Sequence, residues 1–495
     1  MPQAPWSRFT QWLLPAIVVV YAVLGSLYAA YTPAWQAPDE PAHYNYVQYL
    51  AERHRFPVLK AGDFPAAYLE EIKAAHFPPE MSIAPIRYEF HQPPLYYLLS
   101  VPLYRVFDGQ PLPLRLLSVA VGALLLVVVC WTVQTLAPNR PGLALGATAF
   151  VAFLPMHLAM TAAANNDTLA ELLLVTILLL TIRYLKLTDL PEGHTAATRL
   201  LVLLGVTTGL ALVTKSSIYI AVPLVLLAIG LKQFWLDERS LGSGLQAVAI
   251  YLLPAMALGL PWWLRNMAVY GWGDFLGLGR HDQVVVGQLR TAELVAEKGL
   301  AQVAQDFFVT TFHSFWGQFG WMGVLLDQRI YQVVAILSAL AVIGFMIWAA
   351  GMWRSREKLR RWQVAAGWLL VMLGLSSVAS YLWYNLQFVQ HQGRYLFTAL
   401  VPISVAVALG WREVLRRERA LPLAALLIAV AVIMRLAGLL SNWPLLMVMV
   451  TAIALAIRRF LPARLDPFIQ SCPYLGLVCV DLASLFLFIV PVLAV

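Results

Sequence analysis

The stretch Ala37-Pro38-Asp39-Glu40-Pro41-Ala42-His43-Tyr44 sets two adjacent carboxylates and an imidazole just after the first long apolar run of the chain. A carboxylate so placed can take a proton from an attacking hydroxyl or help to hold a cation. A further acid, Asp167, follows Asn165 and Asn166 at the start of a later apolar run. Lys215, Arg265 and Arg394 stand at the ends of others, and Arg280-His281 lies in a polar stretch between two of them. Ionisable groups near membrane spans are costly, which makes each a functional-site candidate. Cations of this kind stabilise a departing phosphate. Their structural alternative is to snorkel to the interface or to bind lipid headgroups. Oxygens from Asp39, Glu40 and Asp167 suit Mg or Mn, whereas Asp39 and Asp167 can equally cap the helices that they open. Metal dependence is open at this level.

The elements that must position these groups cross a membrane. Of 495 residues, 60% are hydrophobic and only 12% charged, outside the balance of a soluble globular chain. Runs of roughly the 20 residues needed to cross a bilayer recur near 13–31, 116–136, 142–163, 168–186, 199–214, 216–232, 246–264, 330–352, 363–384, 395–411, 420–438, 443–457 and 473–494, about thirteen spans in all. The length of the first run favours a retained anchor over a signal peptide. Net charge is +8, but the basic residues sit in short blocks between apolar runs, including Arg183/Lys186/Arg199, Arg354/Arg356/Lys358/Arg360/Arg361 and Arg412/Arg416/Arg417/Arg419. That pattern sets orientation rather than a nucleic-acid surface, and it puts the blocks and the N-terminus inside. Two long loops, about 32–115 and 266–329, then face outside. Pro94 to Phe107 is apolar but short at about 14 residues, and reads as interfacial or re-entrant. Cys130, Cys472 and Cys479 lack metal-ligand spacing and read as small core residues.

In the first outer loop, Pro41 to Arg55 reads as a helix opened by proline. Asn45, Gln48, Glu52 and Arg55 share one face, with Tyr46, Val47 and Leu50 opposite, the pattern of a helix lying on the membrane surface. Downstream, Glu89-Phe90-His91-Gln92-Pro93-Pro94-Leu95-Tyr96-Tyr97 leads into the short apolar segment, with His91 either a substrate contact or a satisfied structural group. In the second loop, Arg290 to Gln305 has the spacing of another interfacial helix. It is followed by Ser314-Phe315-Trp316-Gly317-Gln318-Phe319-Gly320-Trp321, whose aromatic faces either stack on sugar or anchor the loop at the interface.

Taken together, Pro38-Asp39-Glu40-Pro41-Ala42-His43 and His91-Gln92-Pro93-Pro94-Leu95-Tyr96-Tyr97, followed by Ala164-Asn165-Asn166-Asp167, Thr214-Lys215-Ser216, Trp263-Leu264-Arg265-Asn266, Ser314-Phe315-Trp316-Gly317 and Gly393-Arg394-Tyr395, resemble the GT-C glycosyltransferases. The likeness is to the bacterial branch that includes relatives of protein mannosyltransferases and aminoarabinose lipid A transferases. It implies an all-α polytopic fold, with a catalytic module over 1–411 and an appendage of about three helices over 412–495. It further implies inverting transfer of a sugar from a polyprenyl-phosphate donor to a lipid, polysaccharide or protein acceptor, at the outer face of the bacterial cytoplasmic membrane. Asp39 is the catalytic base by position, with Glu40 and Asp167 as supporting acids or metal ligands. If the helix begins at Pro41, Glu40 points elsewhere and either positions the loop or shares a metal. Lys215, Arg265, Arg280, His281 and Arg394 would bind the donor phosphate, and His43, Tyr44, His91, Asn166 and Trp316 the substrate. The alternative is a transporter or flippase of a lipid-linked glycan; that class favours inverted repeats, and the chain shows no convincing one.

Overall fold

The computed structural model describes residues 8–189, 193–355, 359–438 and 441–494; Arg356 and Lys358 of the basic block lie outside these. The described chain is helical apart from one small antiparallel hairpin that pairs Gln318–Phe319 with Val324–Leu325. Eleven of the described helices are long and apolar enough to cross a membrane. The protein is thus an all-α polytopic membrane protein.

Two of the thirteen expected runs take another form. Asn442–Arg458 is apolar but has only 17 residues. The run near 142–163 is broken into Pro141–Ala152 and Pro155–Thr161, bent by 67°, so the count is eleven, or twelve if the bent pair is one span. Proline at 155 has no N–H to give to the carbonyl four residues back, which ends the first helix. The freed Val151 carbonyl is instead met by His157 Nδ1 at 2.8 Å, while Nε2 of the same ring meets Glu171 at 2.8 Å. A buried break in the helix ladder is thereby kept satisfied.

The span Asp167–Lys186 is the most enclosed, with 72% of its apolar window buried, against 22% for Gln328–Arg354 and Arg417–Leu436. Groups at its N-terminal end therefore sit near the middle of the bundle. Outward positions such as Leu253, Val342 and Ile433 are exposed and apolar, as lipid contact requires. Where Gln328–Ser355 crosses the helix Leu400–Val414, a Cβ on Gly344 would collide with the Gly410 carbonyl, and one on Gly410 with the Ala341 carbonyl. Small residues let the two helices approach this closely.

Several local expectations are revised. The helix after the acidic pair runs Glu40–Arg53, and its supposed polar face is not all solvent-facing. Asn45 is buried and gives its amide to the Ile83 and Ile86 carbonyls, both at 2.7 Å. The other face is covered by Tyr97, stacked on Tyr46 at 3.7 Å, and by Phe90. Pro94–Phe107 becomes the helix Leu95–Val106, whose 12 residues pack on Glu40–Arg53. The expected helix over Arg290 to Gln305 is two helices, Thr291–Lys298 and Leu300–Trp316, parted at Gly299 with φ +82°. Cys130 is buried as expected, but Cys472 and Cys479 are exposed.

Candidate active site

Asp39 precedes its helix with a left-handed backbone, φ 68°, and its side chain makes no capping bond. A non-glycine residue in that region is uncommon and is held there by its surroundings. The carboxylate looks away from the helix: Tyr88 donates its hydroxyl to Oδ1 at 2.8 Å and Arg394 Nη2 meets Oδ2 at 2.8 Å. Burial alone would raise the pKa of Asp39, but the guanidinium overrides it and holds the group down at about 2. Burial and the neighbouring Asp39 and Glu89 carboxylates push the Tyr88 phenol well above its ordinary value, so it remains a donor.

Arg394 is aimed by three contacts: Nε to Gln392 Oε1 at 2.7 Å, Nη1 to Met160 Sδ at 3.8 Å, and its plane over the Tyr395 ring at 5.5 Å. The turn that carries it lies hard against the helix Leu300–Trp316. Gly393 donates its N–H to Ser314 Oγ at 2.7 Å, and a Cβ at this position would strike the Thr311 carbonyl and the Phe315 amide. The separated Ser314 and Gly393-Arg394 stretches are thus one packing unit.

Glu40 does something different from its neighbour: its carboxylate is taken up in holding the loop. It is fully buried and forms a double ion pair with Arg115, Nε to Oε1 at 2.7 Å and Nη2 to Oε2 at 2.6 Å. Two backbone amides, Trp35 and Ala164, complete the carboxylate at 3.1 Å each. The remaining donors of Arg115 go to the carbonyls of Ala29, Thr32 and Pro33. Every donor of the guanidinium fork is used. Glu40 and Arg115 therefore tie the end of the first helix, the acidic turn, the start of Pro111–Leu136 and the loop at 164 into one knot.

Around Asp39 the structure gathers His43, Asp167 and Lys215. His43 is buried, shares a 2.9 Å hydrogen bond with the Tyr97 hydroxyl through Nδ1, and lies within electrostatic reach of Glu89, Lys215, Asp39 and Asp167. Burial lowers its pKa, so the ring is neutral at pH 7. Asp167 opens the central span and pairs with Lys215. Its backbone N–H is taken by Asn165 Oδ1 at 3.0 Å, and the Asp167 carboxylate faces Lys215 instead of capping its own helix. Asn166 is buried, donates to the Thr214 carbonyl at 3.2 Å, and leaves its Oδ1 without a donor.

The other expected site residues form a tier outside this cluster. Arg265 donates to the Pro57 carbonyl and lies over Trp262 and Tyr270, and Arg280 Nε donates to the Leu59 carbonyl at 3.1 Å. The two arginines strap the segment 57–59 to the end of the span Leu241–Tyr270 and to the helix Leu278–Val284. His91 contacts His281 at 4.7 Å between ring centres, and its Nδ1 meets the Tyr88 carbonyl at 3.0 Å. Burial holds His91 neutral, with its pKa down at about 3. Tyr44 packs on Trp35 and gives its hydroxyl to the Gly109 carbonyl at 2.7 Å. Trp316 is buried against Phe150 in the main core, which removes it from both sugar stacking and interface anchoring.

Three functional groups escaped sequence reasoning. Tyr88 and Glu89 stand just before His91, and Arg115 lies near the start of the span Pro111–Leu136. A charged residue opposite the acidic pair was the available signal for Arg115. As positioned, the donor set does not fit a divalent ion: Glu40 is closed off, while Asp39 and Asp167 each face a cation. Among the described residues, no group of three or more His, Cys, Asp or Glu side chains is gathered in metal-binding geometry.

The fold is that of a polytopic all-α membrane protein. Its shape is similar to that of ArnT from Cupriavidus metallidurans bound to undecaprenyl phosphate, with 13% identity and a TM-score of 0.52 over 96% of this chain and 76% of that one. It is also similar to the Archaeoglobus fulgidus oligosaccharyltransferase tethered to an acceptor peptide, with 14% identity, a TM-score of 0.50, and coverage of 94% of this chain but only 55% of that one. At these identities the likeness is one of fold. No curated protein sequence matches the chain. Residues 92–407 match the family described as "Predicted membrane protein (DUF2142)", and the chain belongs to that family. The matched segment holds Asp167, Lys215 and Arg394, and begins after Asp39.

Proposed function

We propose that this protein is a membrane glycosyltransferase that moves a sugar from a polyprenyl-phosphate donor to an acceptor hydroxyl at the outer face of the bacterial cytoplasmic membrane. The observation that carries the reading is the Asp39–Arg394 pair, set beside Asp167–Lys215 and ringed by Tyr88 and His43. A carboxylate and two cations around one centre supply what glycosyl transfer from a phosphate needs.

In the proposed step the acceptor oxygen attacks the anomeric carbon, the carbon–oxygen bond to phosphate breaks, and the acceptor proton passes to Asp39. Attack opposite the leaving group inverts the anomeric centre. The counter-charge for the departing phosphate is placed on Lys215 and Arg394 rather than on Mg or Mn. Asp39 is ionised at all working pH values because Arg394 holds its pKa down. A phosphate that draws on the same guanidinium weakens this hold and makes Asp39 the stronger base. The solved structures of like fold support the substrate class, since one holds undecaprenyl phosphate and another an acceptor peptide.

The test uses purified protein with polyprenyl-linked sugars and membrane acceptors extracted from the host. Asp39→Asn is expected to lose turnover by 100-fold or more, on the order of what a positioned acid–base group contributes, while it still binds the lipid donor. Wild-type turnover in that variant would remove the mechanism.

A further inference from the structure

Among the described residues, every acid at the centre of the site but one is matched. Asp39 has Tyr88 and Arg394, Asp167 has Lys215, and Glu40 has Arg115 with two amides. Glu89, in the turn Tyr88–His91, is only 9% exposed, and its Oε2 is buried with no hydrogen-bond partner. It lies within electrostatic reach of His43, Tyr88 and Tyr97, which are also reached by Asp39 or Asp167. Buried carboxylate oxygens without a donor are costly and rare, and each calls for a reason. An amide can be turned to exchange its donor and acceptor, but an ionised carboxylate only accepts. In the flanking segments Gln92 Oε1 and Asn166 Oδ1 are likewise buried without a donor.

We infer that Glu89 is a substrate-binding residue that accepts hydrogen bonds from a sugar hydroxyl brought into the site, and so helps to set which sugar is used. The inference rests on the glycosyltransferase reading. Within it, the missing donor is supplied by the substrate: the nearby cations are already engaged with Asp39 and Asp167, whereas a sugar carries several free hydroxyls. A site built to bond a hydroxyl rejects an analogue that lacks it, because the buried acceptor is then left bare.

Full-length protein in lipid nanodiscs is titrated with undecaprenyl phosphate alone and with undecaprenyl phosphate carrying glucose, mannose or arabinose. Wild type is expected to hold at least one sugar-bearing lipid about tenfold more tightly than the bare lipid, the worth of one good hydrogen bond to a charged group. Glu89→Gln is expected to erase that increment and leave bare-lipid binding unchanged. Loss of the increment assigns the hydroxyl to the donor sugar. An intact increment, or none in wild type, together with a raised acceptor KM in membrane transfer assigns it to the acceptor. No change in either arm overturns the role. Protein that binds none of the four lipids removes the glycosyltransferase reading itself, and this role with it. Lipid-free Glu89→Gln should unfold at or above the wild-type temperature, since it relieves an unmatched buried charge; a marked fall would show a structural role and overturn the inference.

Discussion

Asp39 and Glu40 are neighbours in sequence whose expected responses to loss of charge differ in size. Glu40 is fully buried, the Arg115 side chain is 5% exposed, and the two share a double ion pair. Glu40→Gln leaves the guanidinium in place without its counter-ion, and breaking a buried pair from one side costs about 3–5 kcal/mol. Glutamine still accepts some of the four hydrogen bonds, so the cost falls at the lower end, about 3 kcal/mol. Asp39→Asn keeps an acceptor for Tyr88 and Arg394 and costs about 1–2 kcal/mol, the scale of weakening one charged hydrogen bond. Unfolding of purified protein in detergent, followed by tryptophan fluorescence, measures both. Replacing both Glu40 and Arg115 by apolar residues of like size should recover much of the single-variant loss, since a removed pair costs less than a broken one. Glu40→Gln with wild-type stability, or a double variant whose losses simply add, would refute the knot as described.

Other outcomes follow from the same geometry. The carboxyl of Asp39 is held at about 2 in the folded protein, below its ordinary 3.8. Its contribution is therefore present above pH 4 and lost as pH falls toward 2, worth about 2 kcal/mol at about 1.4 kcal/mol per unit. Wild type should lose that much more than Asp39→Asn in unfolding titrations over this window; equal losses would contradict the ion pair. Gly393→Ala should cost about 1–3 kcal/mol by overpacking against Thr311 and Phe315, and should lower turnover by displacing Arg394. Arg265→Ala should free the segment at 57–59, read as faster proteolysis there without loss of the folded bundle.

The arrangement of the spans was legible because apolar length is a local property of sequence. Asp39, Asp167, Lys215 and Arg394 were legible for a related reason: charges at the ends of apolar runs are few and must be accounted for. Orientation by the basic blocks predicted that these four share one side, and they do meet. That Asp39 and Glu40 take unequal roles was legible from the helix start beside them; the partner of Glu40, Arg115, was not, since it lies 75 residues along the chain. Arg265 and Arg280 looked like phosphate ligands because their charge is visible in sequence, whereas the Pro57 and Leu59 carbonyls that they strap are not. The break at Pro155 was open to reading from proline chemistry alone; its repair by His157 required the fold. Glu89 was hidden because its distinguishing property is the absence of a partner, which only side-chain packing reveals.

The most direct measurement compares envelope glycans and polyprenyl-linked sugars, by mass spectrometry, in a deletion strain carrying wild-type protein, Asp39→Asn or no copy. Asp39→Asn is expected to match the empty strain: one sugar missing from an envelope acceptor, and its polyprenyl-phosphate form accumulated. Full restoration of the glycan by Asp39→Asn, at matched protein levels, would contradict that expectation.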